Sequence, residues 1–500
     1  MEIREAAVVG LGTMGAGIAE VLARSGMQVT AIEVDEAALA RGMANLDRSL
    51  ARAAARGKLT EQERGQIRGR VRPAASFAAA SGADLAVEVV PERMEIKQQI
   101  FAQLDQACRA DAILATNTSS LSVTAIAART LRPGRVVGLH FFNPAPVMRL
   151  VEVVTTVLTA QGTGAAVTDL ARRLGKTPVR VSDRAGFVAN ALLLPFLNHA
   201  AALLESGYAT REDIETAATS GIGLPMGPLA LLDLIGLDTA LSILQVLHGE
   251  FGASRYVPAP LLRRLTDAAQ TGRKSGRGFY DYAGRQAAPS ASPVIIQNEI
   301  SAAAPAAITL IDAGGDSFGE FASAVAAAGV DITRDPADPS DLVVVAAAAD
   351  RGVLAAAIET GRPADAVGLH WAGDKLAELV TTPLSGPAAV ATAVALAAEL
   401  GLDVVRCPDR PGFLAGALLC PHLNDAVRMV QDGYASAADI DTAMTLGCGY
   451  PRGPMRMLDQ IGPAAALSVL TQMHARYGDP GFAPVPLLAE YAAAGLGFCS

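Results

Sequence analysis

The sequence predicts an α/β chain: an open, doubly wound parallel sheet, then an all-helical region, then a degenerate copy of both. Three observations carry this. A short apolar strand runs into Gly10-Leu11-Gly12-Thr13-Met14-Gly15, with a helix directly behind it. Short apolar runs then alternate with helical stretches, at Gln28–Ile32, Asp84–Val90, Ile113–Thr116, Arg135–Leu139, Leu150–Thr155 and Pro178–Val181, which is the pattern of βαβ units. Finally, Asp183-Arg184-Ala185-Gly186-Phe187 recurs 226 residues later as Asp409-Arg410-Pro411-Gly412-Phe413.

The glycine turn belongs to a Rossmann-type dinucleotide-binding domain. Gly10 makes the tight turn, Gly12 leaves room for a pyrophosphate, and Gly15 lets helix and strand close on each other. Thr13 and Met14 complete the turn, where the helix N-terminus offers free N–H groups to an anion. Glu33 ends the second strand, 23 residues past Gly10. A carboxylate there bonds ribose hydroxyls and repels a 2′-phosphate, so the expected cofactor is NAD rather than NADP. An ordinary strand–turn–helix with incidental glycines is the competing reading.

Size and composition narrow the field. Five hundred residues suit three or four domains, and the net charge of −9 argues against nucleic acid as a partner. Cys108, Cys407, Cys420, Cys448 and Cys499 are scattered without a C-x-x-C, so neither a disulfide framework nor a metal site is expected. No apolar run approaches the ~18 residues of a membrane helix. The chain opens directly on a strand, leaving no room for a signal peptide, and a cytoplasmic protein is expected.

Along the chain, a helix is expected from Glu36 to about Gly57. Arg48, Arg52 and Arg56 stand at i, i+4 and i+8 on one of its faces. That face is either simply solvated or a landing strip for a phosphorylated substrate. Gly57–Gly69 reads as a charged helical turn or loop, and Pro91 opens a further helix. Several strand ends carry polar groups: Glu92, Asn117, Ser119 and His140. Ligands sit outside the carboxyl ends of strands in such sheets, so these groups can converge near the nicotinamide.

Five segments are expected: a dinucleotide-binding domain at 1–182, a helical domain at 183–283, a linker at 284–305, a degenerate sheet domain at 306–406, and a second helical domain at 407–500. The 226-residue register also pairs Asn198 with Asn424, Tyr208 with Tyr434 and Asp233 with Asp459. In the second sheet region, Asp312-Ala313-Gly314 stands where Gly10 would turn, and Asp316 puts a negative charge near the helix end. No dinucleotide is expected there. The helix read from Gly186 to about Gly207 is too apolar all round to face water, and packing of one helical domain on the other would cover it.

Oxidising a carbinol with NAD leaves a hydroxyl proton that a histidine can accept. His140 is the candidate, with Glu152 orienting the ring. Glu152 lies between valines on the next strand, a costly place for an unpaired charge. A satisfied core histidine and a structural ion pair are the alternatives. Ser119 and Ser120 lack any nucleophile-elbow pattern, so a hydroxyl that bonds the substrate oxygen is the simpler role.

By these residues taken together, the chain resembles the L-3-hydroxyacyl-CoA dehydrogenase family. The resemblance covers residues 4–282 as one enzyme unit, then a degenerate helical copy as in bacterial members of the 3-hydroxybutyryl-CoA and 3-hydroxyadipyl-CoA type. It rests on Asn117-Thr118-Ser119-Ser120-Leu121, on His140-Phe141-Phe142-Asn143-Pro144-Ala145-Pro146-Val147-Met148 with Leu150-Val151-Glu152, and on Gly186-Phe187-Val188-Ala189-Asn190.

The resemblance implies His140 as acid–base group, Glu152 as its partner, and Ser119 and Asn190 on the substrate's oxygens. It further implies Glu92, Lys97 and Asn117 around the cofactor, and Asn143, Ser49, Arg52 and Arg56 toward an acyl-CoA. The implied reaction converts (3S)-3-hydroxyacyl-CoA and NAD to 3-oxoacyl-CoA and NADH, in fatty-acid or phenylacetate-type catabolism. An NAD-dependent dehydrogenase of a non-CoA 3-hydroxy acid or sugar acid stays open, as does a non-catalytic NAD-binding protein. In the second half His370 matches His140 and Glu378 matches Glu152, but the loop between them is four residues shorter and Gly416 replaces Asn190. These two are expected to be relics or structural. An intrachain pseudo-dimer of helical domains is expected, with a homodimer left open.

Overall fold

Runs of four to six residues, mostly rich in valine and alanine and buried on both faces in the middle of the sheet, suit a parallel sheet covered by helices. In the first half these are β1 (Glu5–Val9), β2 (Gln28–Ile32), β3 (Val71–Ala74), β4 (Leu85–Glu88), β5 (Ile113–Thr116), β6 (Val136–Phe141), β7 (Leu150–Thr155) and β8 (Thr177–Ser182). They form one sheet in the order β3-β2-β1-β4-β5-β6-β7-β8. Only β6 and β7 run antiparallel within it. The order reverses at the β1/β4 boundary, which opens a crevice at their carboxyl ends. The computed structural model describes residues 3–282, 302–314, 318–337, 340–372 and 375–499. The linker expected at 284–305 and the charge expected at Asp316 fall mostly or wholly outside these.

The chain divides into two units, Met1–Ala191 with Asp432–Gly449, and Leu192–Gln431 with Tyr450–Ser500. In the first unit, α1 (Thr13–Arg24) and α2 (Glu36–Ala55) follow the first two strands. Asp35 caps α2 by accepting the Ala38 N–H at 2.7 Å. Gly42, Met43, Leu46 and Leu50 are buried along one face of α2, while Arg48, Arg52 and Arg56 are exposed. The helix Ala437–Cys448, from the second helical copy, packs on β7 and β8 in this unit.

The second unit holds β9 (Ala307–Ala313), β10 (Asp331–Thr333), β11 (Leu342–Ala347), β12 (Ala366–Trp371), β13 (Leu376–Thr381) and β14 (Asp403–Pro408). Their order is β10-β9-β11-β12-β13-β14, and β12 and β13 are again the antiparallel pair. Helix Arg211–Thr216 packs on β14, with the Asp213 carboxylate accepting the Arg406 N–H at 3.2 Å. The two helical copies also meet in this unit. The rings of Phe196 and His422 lie 5.1 Å apart, and Arg255 pairs with Asp425 at 3.1 Å.

The repeated Asp-Arg-x-Gly-Phe motif now has a physical reason. Asp183 accepts the N–H groups of Val123 (2.9 Å) and Thr124 (2.6 Å), and Asp409 accepts those of Val353 (3.0 Å) and Leu354 (2.9 Å). Each aspartate thus serves the first N–H groups of a short helix. Gly186 and Phe187 then turn with φ of 75° and 47°, as Gly412 and Phe413 do at 83° and 47°.

That turn corrects one expectation, since the helix read from Gly186 begins at Ala189. Gly236, with φ of 98°, splits the stretch Asp233–His248 between helices Pro228–Ile235 and Leu237–Phe251. The helix after β4 starts at Met94 rather than beside Pro91. The charged region 57–69 contains a helix, Glu61–Gly69, set by a Thr60–Glu63 capping box. No single helix among the described residues is long and apolar enough to cross a membrane.

Glu215 supplies a stability prediction. Its carboxylate accepts the Leu229 (2.7 Å) and Ala230 (3.2 Å) N–H groups, and burial pushes it up to about 7 against their pull. The folded value exceeds the unfolded one of roughly 4.3. This group's contribution is therefore fully present below about pH 4 and lost as pH rises through 7. Glu215→Gln should flatten the fall in Tm between about pH 5 and 8, followed by thermal denaturation. An unchanged slope would refute the assignment.

Candidate active site

The glycine turn shows why each glycine is needed. Gly10 has φ of 92°, and a Cβ there would lie 2.7 Å from the Val89 carbonyl oxygen. At Gly15 it would lie 1.7 Å from the Gly10 carbonyl oxygen. At Gly12 it would meet nothing within 4 Å, so this side of the turn is open to a ligand. Gly12 is also the N-cap of α1 and makes no side-chain hydrogen bond, which leaves the first N–H groups of Thr13, Met14 and Gly15 for a pyrophosphate. A cleft of about 500 Å³ lies beside it, lined by Gly12, Glu33, Arg41, Asn45 and Arg48 among others. The open turn, bare helix end and acidic strand end fit a dinucleotide.

Two expectations gain detail here. Glu33 accepts the Leu11 N–H at 2.6 Å and the Val34 N–H at 3.1 Å. It therefore braces the turn as well as facing the cleft. Arg48, read as part of a stripe with Arg52 and Arg56, borders this same cleft. Ser49, the next residue in the chain, is half-buried.

At the end of β4, Glu88 is a residue the sequence reading missed. It is fully buried, bonds Lys97 Nζ at 2.8 Å, and accepts the Thr116 hydroxyl at 2.7 Å. Lys97 is buried with it and also reaches Glu92 at 3.3 Å. Lys97 thus lies beneath the strand ends as a brace. Glu92 Oε1 in turn gathers the next loop, accepting the Thr118 hydroxyl (2.6 Å) and the N–H groups of Ser119 (2.9 Å) and Ser120 (3.1 Å). Desolvation pushes the Glu92 carboxyl up, but the Lys97 charge and these hydrogen bonds together hold it below the usual range. The signal for Glu88 was available: an acid within Ala86-Val87-Glu88-Val89-Val90 needs a buried partner.

Asn117 joins β5 to β6 by accepting the Phe141 N–H at 2.8 Å. The neighbouring residue, His140, lies directly across the antiparallel ladder from Glu152. Opposed residues on such strands share one face, and His140 Nδ1 sits 2.7 Å from Glu152 Oε2. Glu152 is fully buried. Its other oxygen accepts the Val188 (3.0 Å) and Ala189 (3.1 Å) N–H groups, one residue short of Asn190. Hydrogen bonds therefore tie His140 to Glu152 and Glu152 to the turn before Asn190, while Asn117 holds the residue after His140. Because Nδ1 is held, Nε2 is the imidazole atom left for a ligand. Phe142 and Phe187 flank the ring at centroid distances of 4.6 and 5.7 Å. Asn143 follows Phe142 and precedes Pro144.

The second half repeats the pair without the turn. His370 Nδ1 lies 2.7 Å from Glu378 Oε2, and Glu378 Oε1 accepts the Leu414 (2.8 Å) and Ala415 (2.7 Å) N–H groups. At the end of β9, however, a Cβ on Gly314 would lie 2.6 Å from the Arg351 guanidinium.

Residues 5–184 match the family model of the 3-hydroxyacyl-CoA dehydrogenase NAD binding domain. Residues 186–282, and again 412–497, match that of the 3-hydroxyacyl-CoA dehydrogenase C-terminal domain. The chain is 34% identical to 3-hydroxyadipyl-CoA dehydrogenase of Escherichia coli, over 98% of both chains. It is 47% identical to 3-hydroxybutyryl-CoA dehydrogenase of Mycobacterium tuberculosis, over 56% of this chain and 99% of that one. Among solved structures, 3-hydroxybutyryl-CoA dehydrogenase from Escherichia coli superposes with a TM-score of 0.84 at 33% identity, covering 99% of each chain.

The glycine geometry predicts separable outcomes. Gly12→Ala should leave stability within about 0.5 kcal/mol, yet weaken NAD binding roughly tenfold or more by filling the pyrophosphate space. Gly15→Ala should lose the fold of the turn itself. Isothermal titration with NAD and thermal denaturation distinguish them, and undiminished affinity in Gly12→Ala would contradict the placement.

Proposed function

Because the chain belongs to the 3-hydroxyacyl-CoA dehydrogenase family, a family of NAD-dependent oxidoreductases, we propose that it oxidises (3S)-3-hydroxyacyl-CoA reversibly to 3-oxoacyl-CoA with His140 and Glu152 as the proton relay. The buried His140–Glu152 pair at 2.7 Å, set against the end of the glycine-turn sheet, is the observation that carries this reading.

When bound, NAD supplies the acceptor for the hydride leaving C3 of the substrate. His140 Nε2 takes the proton of the 3-hydroxyl, and the Glu152 carboxylate stabilises the imidazolium so formed. In the reverse direction the same nitrogen returns the proton to the carbonyl oxygen. Ser119 and Asn190 bond the 3-oxygen and the thioester carbonyl, and Asn143 lines the acyl side. Ser49, Arg52 and Arg56 receive the CoA, whose phosphates suit exposed guanidinium groups. Glu33, Glu92, Lys97 and Asn117 serve the cofactor, Lys97 by holding Glu92 in place.

The full-length relative is named for an adipyl substrate and the matched structure for a butyryl one, so short and dicarboxylic acyl groups are the first to try. A catabolic role in fatty-acid or phenylacetate-type degradation accords with either. The four domains divide the labour: cofactor at 1–182, substrate at 183–283, and support from 306–406 and 407–500. Contacts such as Phe196–His422 and Arg255–Asp425 support an intrachain pseudo-dimer of the helical copies.

Mixing the protein with NADH and acetoacetyl-CoA should consume NADH, read by absorbance, and a panel extending to 3-oxoadipyl-CoA should rank the acyl groups. Absence of consumption across the panel would overturn the reading. His140→Gln should lower kcat by ~10²–10⁴-fold, whereas a loss under about tenfold would remove His140 from the acid–base role.

A further inference from the structure

The helix Ala437–Cys448 has Gly447 in its last turn, although glycine in a helix costs about 1 kcal/mol against alanine. Gly447 is not among the glycines with positive φ, so backbone freedom does not explain it. Space does. A Cβ at Gly447 would lie 2.6 Å from Leu150 Cδ2 and 3.3 Å from Phe142 Cε1. Phe142 is the ring that stands 4.6 Å from the His140 imidazole. A side chain at this position would therefore push first on Leu150 and then on the aromatic ring that flanks the proton-transfer group.

This helix is firmly seated. Just before it, the Tyr434 carbonyl accepts the Ser182 N–H at 3.3 Å, the Tyr434 hydroxyl donates to the Arg184 carbonyl at 3.3 Å, and Asp432 pairs with Arg184 at 3.6 Å. At its end, burial first and the Glu152 charge second push the Cys448 thiol up to about 12.

The other half provides an internal comparison. Gly221 corresponds to Gly447 and Leu376 to Leu150, and a Cβ at Gly221 would lie 2.7 Å from Leu376 Cδ2. The glycine–leucine contact is thus reproduced. The residue two beyond His370, however, is Ala372 rather than a phenylalanine. The aromatic link from glycine to histidine is present in the half that carries the glycine turn, and replaced by alanine in the other.

We propose that Gly447 is a positioning residue for His140: the second helical copy seats Phe142 against the catalytic imidazole, so the degenerate half takes part in the reaction of the first. This rests on the dehydrogenase reading above for its kinetic test but not for its spectroscopic one.

In the full-length protein, Gly447→Ala should lower kcat roughly tenfold, against the ~100-fold that a 1 Å misplacement can cost. The KM for acyl-CoA and the affinity for NAD should stay near their original values, and the pH–rate profile should move. Gly221→Ala imposes the same clash on Leu376 and should cost stability while keeping kcat. Phe142→Leu should also lower kcat, and the Gly447→Ala/Phe142→Leu double variant should be no worse than the worse single one, because both act through one contact.

Losses that multiply in the double variant, or a folded Gly447→Ala with unchanged kcat and pH profile, would overturn the proposal. If Gly447→Ala does not fold, an unchanged kcat in Phe142→Leu would overturn it equally. Should the protein turn over no acyl-CoA at all, the imidazole signals of His140 by NMR still decide: they should shift in Gly447→Ala and hold in Gly221→Ala, and the reverse would refute the link.

Discussion

The buried carboxylate of Glu152 is the constraint on which the site depends. With no exposure to water, it would be strongly destabilising unpaired. Its two oxygens are divided: one on His140 Nδ1, the other on the Val188 and Ala189 N–H groups. The first bond fixes the imidazole tautomer; the second fixes the turn into the helix that carries Asn190. Sheet, turn and proton-transfer group are thereby held by one side chain, and removing it would disturb both geometry and charge.

The second half shows the same carboxylate put to structural use. Glu378 keeps both sets of bonds to within 0.4 Å of the first copy's distances, although the glycine turn is gone and Gly416 stands for Asn190. A buried acid that caps a helix start cannot be dropped cheaply even where no cofactor turn accompanies it. That His370 survives alongside follows from the same cost, since the imidazole satisfies the oxygen the backbone leaves over.

Much of this was legible in the sequence because the signals were local. The glycine turn, the polar strand ends and the strands Gln28–Ile32, Ile113–Thr116 and Leu150–Thr155 follow from short-range pattern. What escaped was set by tertiary geometry. The edge strand Val71–Ala74 contains Pro73 and two exposed residues, so it lacks the apolar run that betrays an interior strand. Phe187 is left-handed against its own preference, which delayed the helix start by three residues. Glu88 was visible as an anomalous acid in a valine run, but its bond to Lys97 requires the fold. The role of Gly447 could not be read at all, because its partner Phe142 lies some three hundred positions away in the chain.

The central claim, that Glu152 holds His140 with Nε2 free for proton transfer, is tested most directly by the tautomer of that ring. Nitrogen-15 NMR of the free protein, at a pH high enough for a neutral imidazole, should show His140 protonated on Nδ1 and bare on Nε2. A neutral His140 carrying its proton on Nε2 would contradict the account.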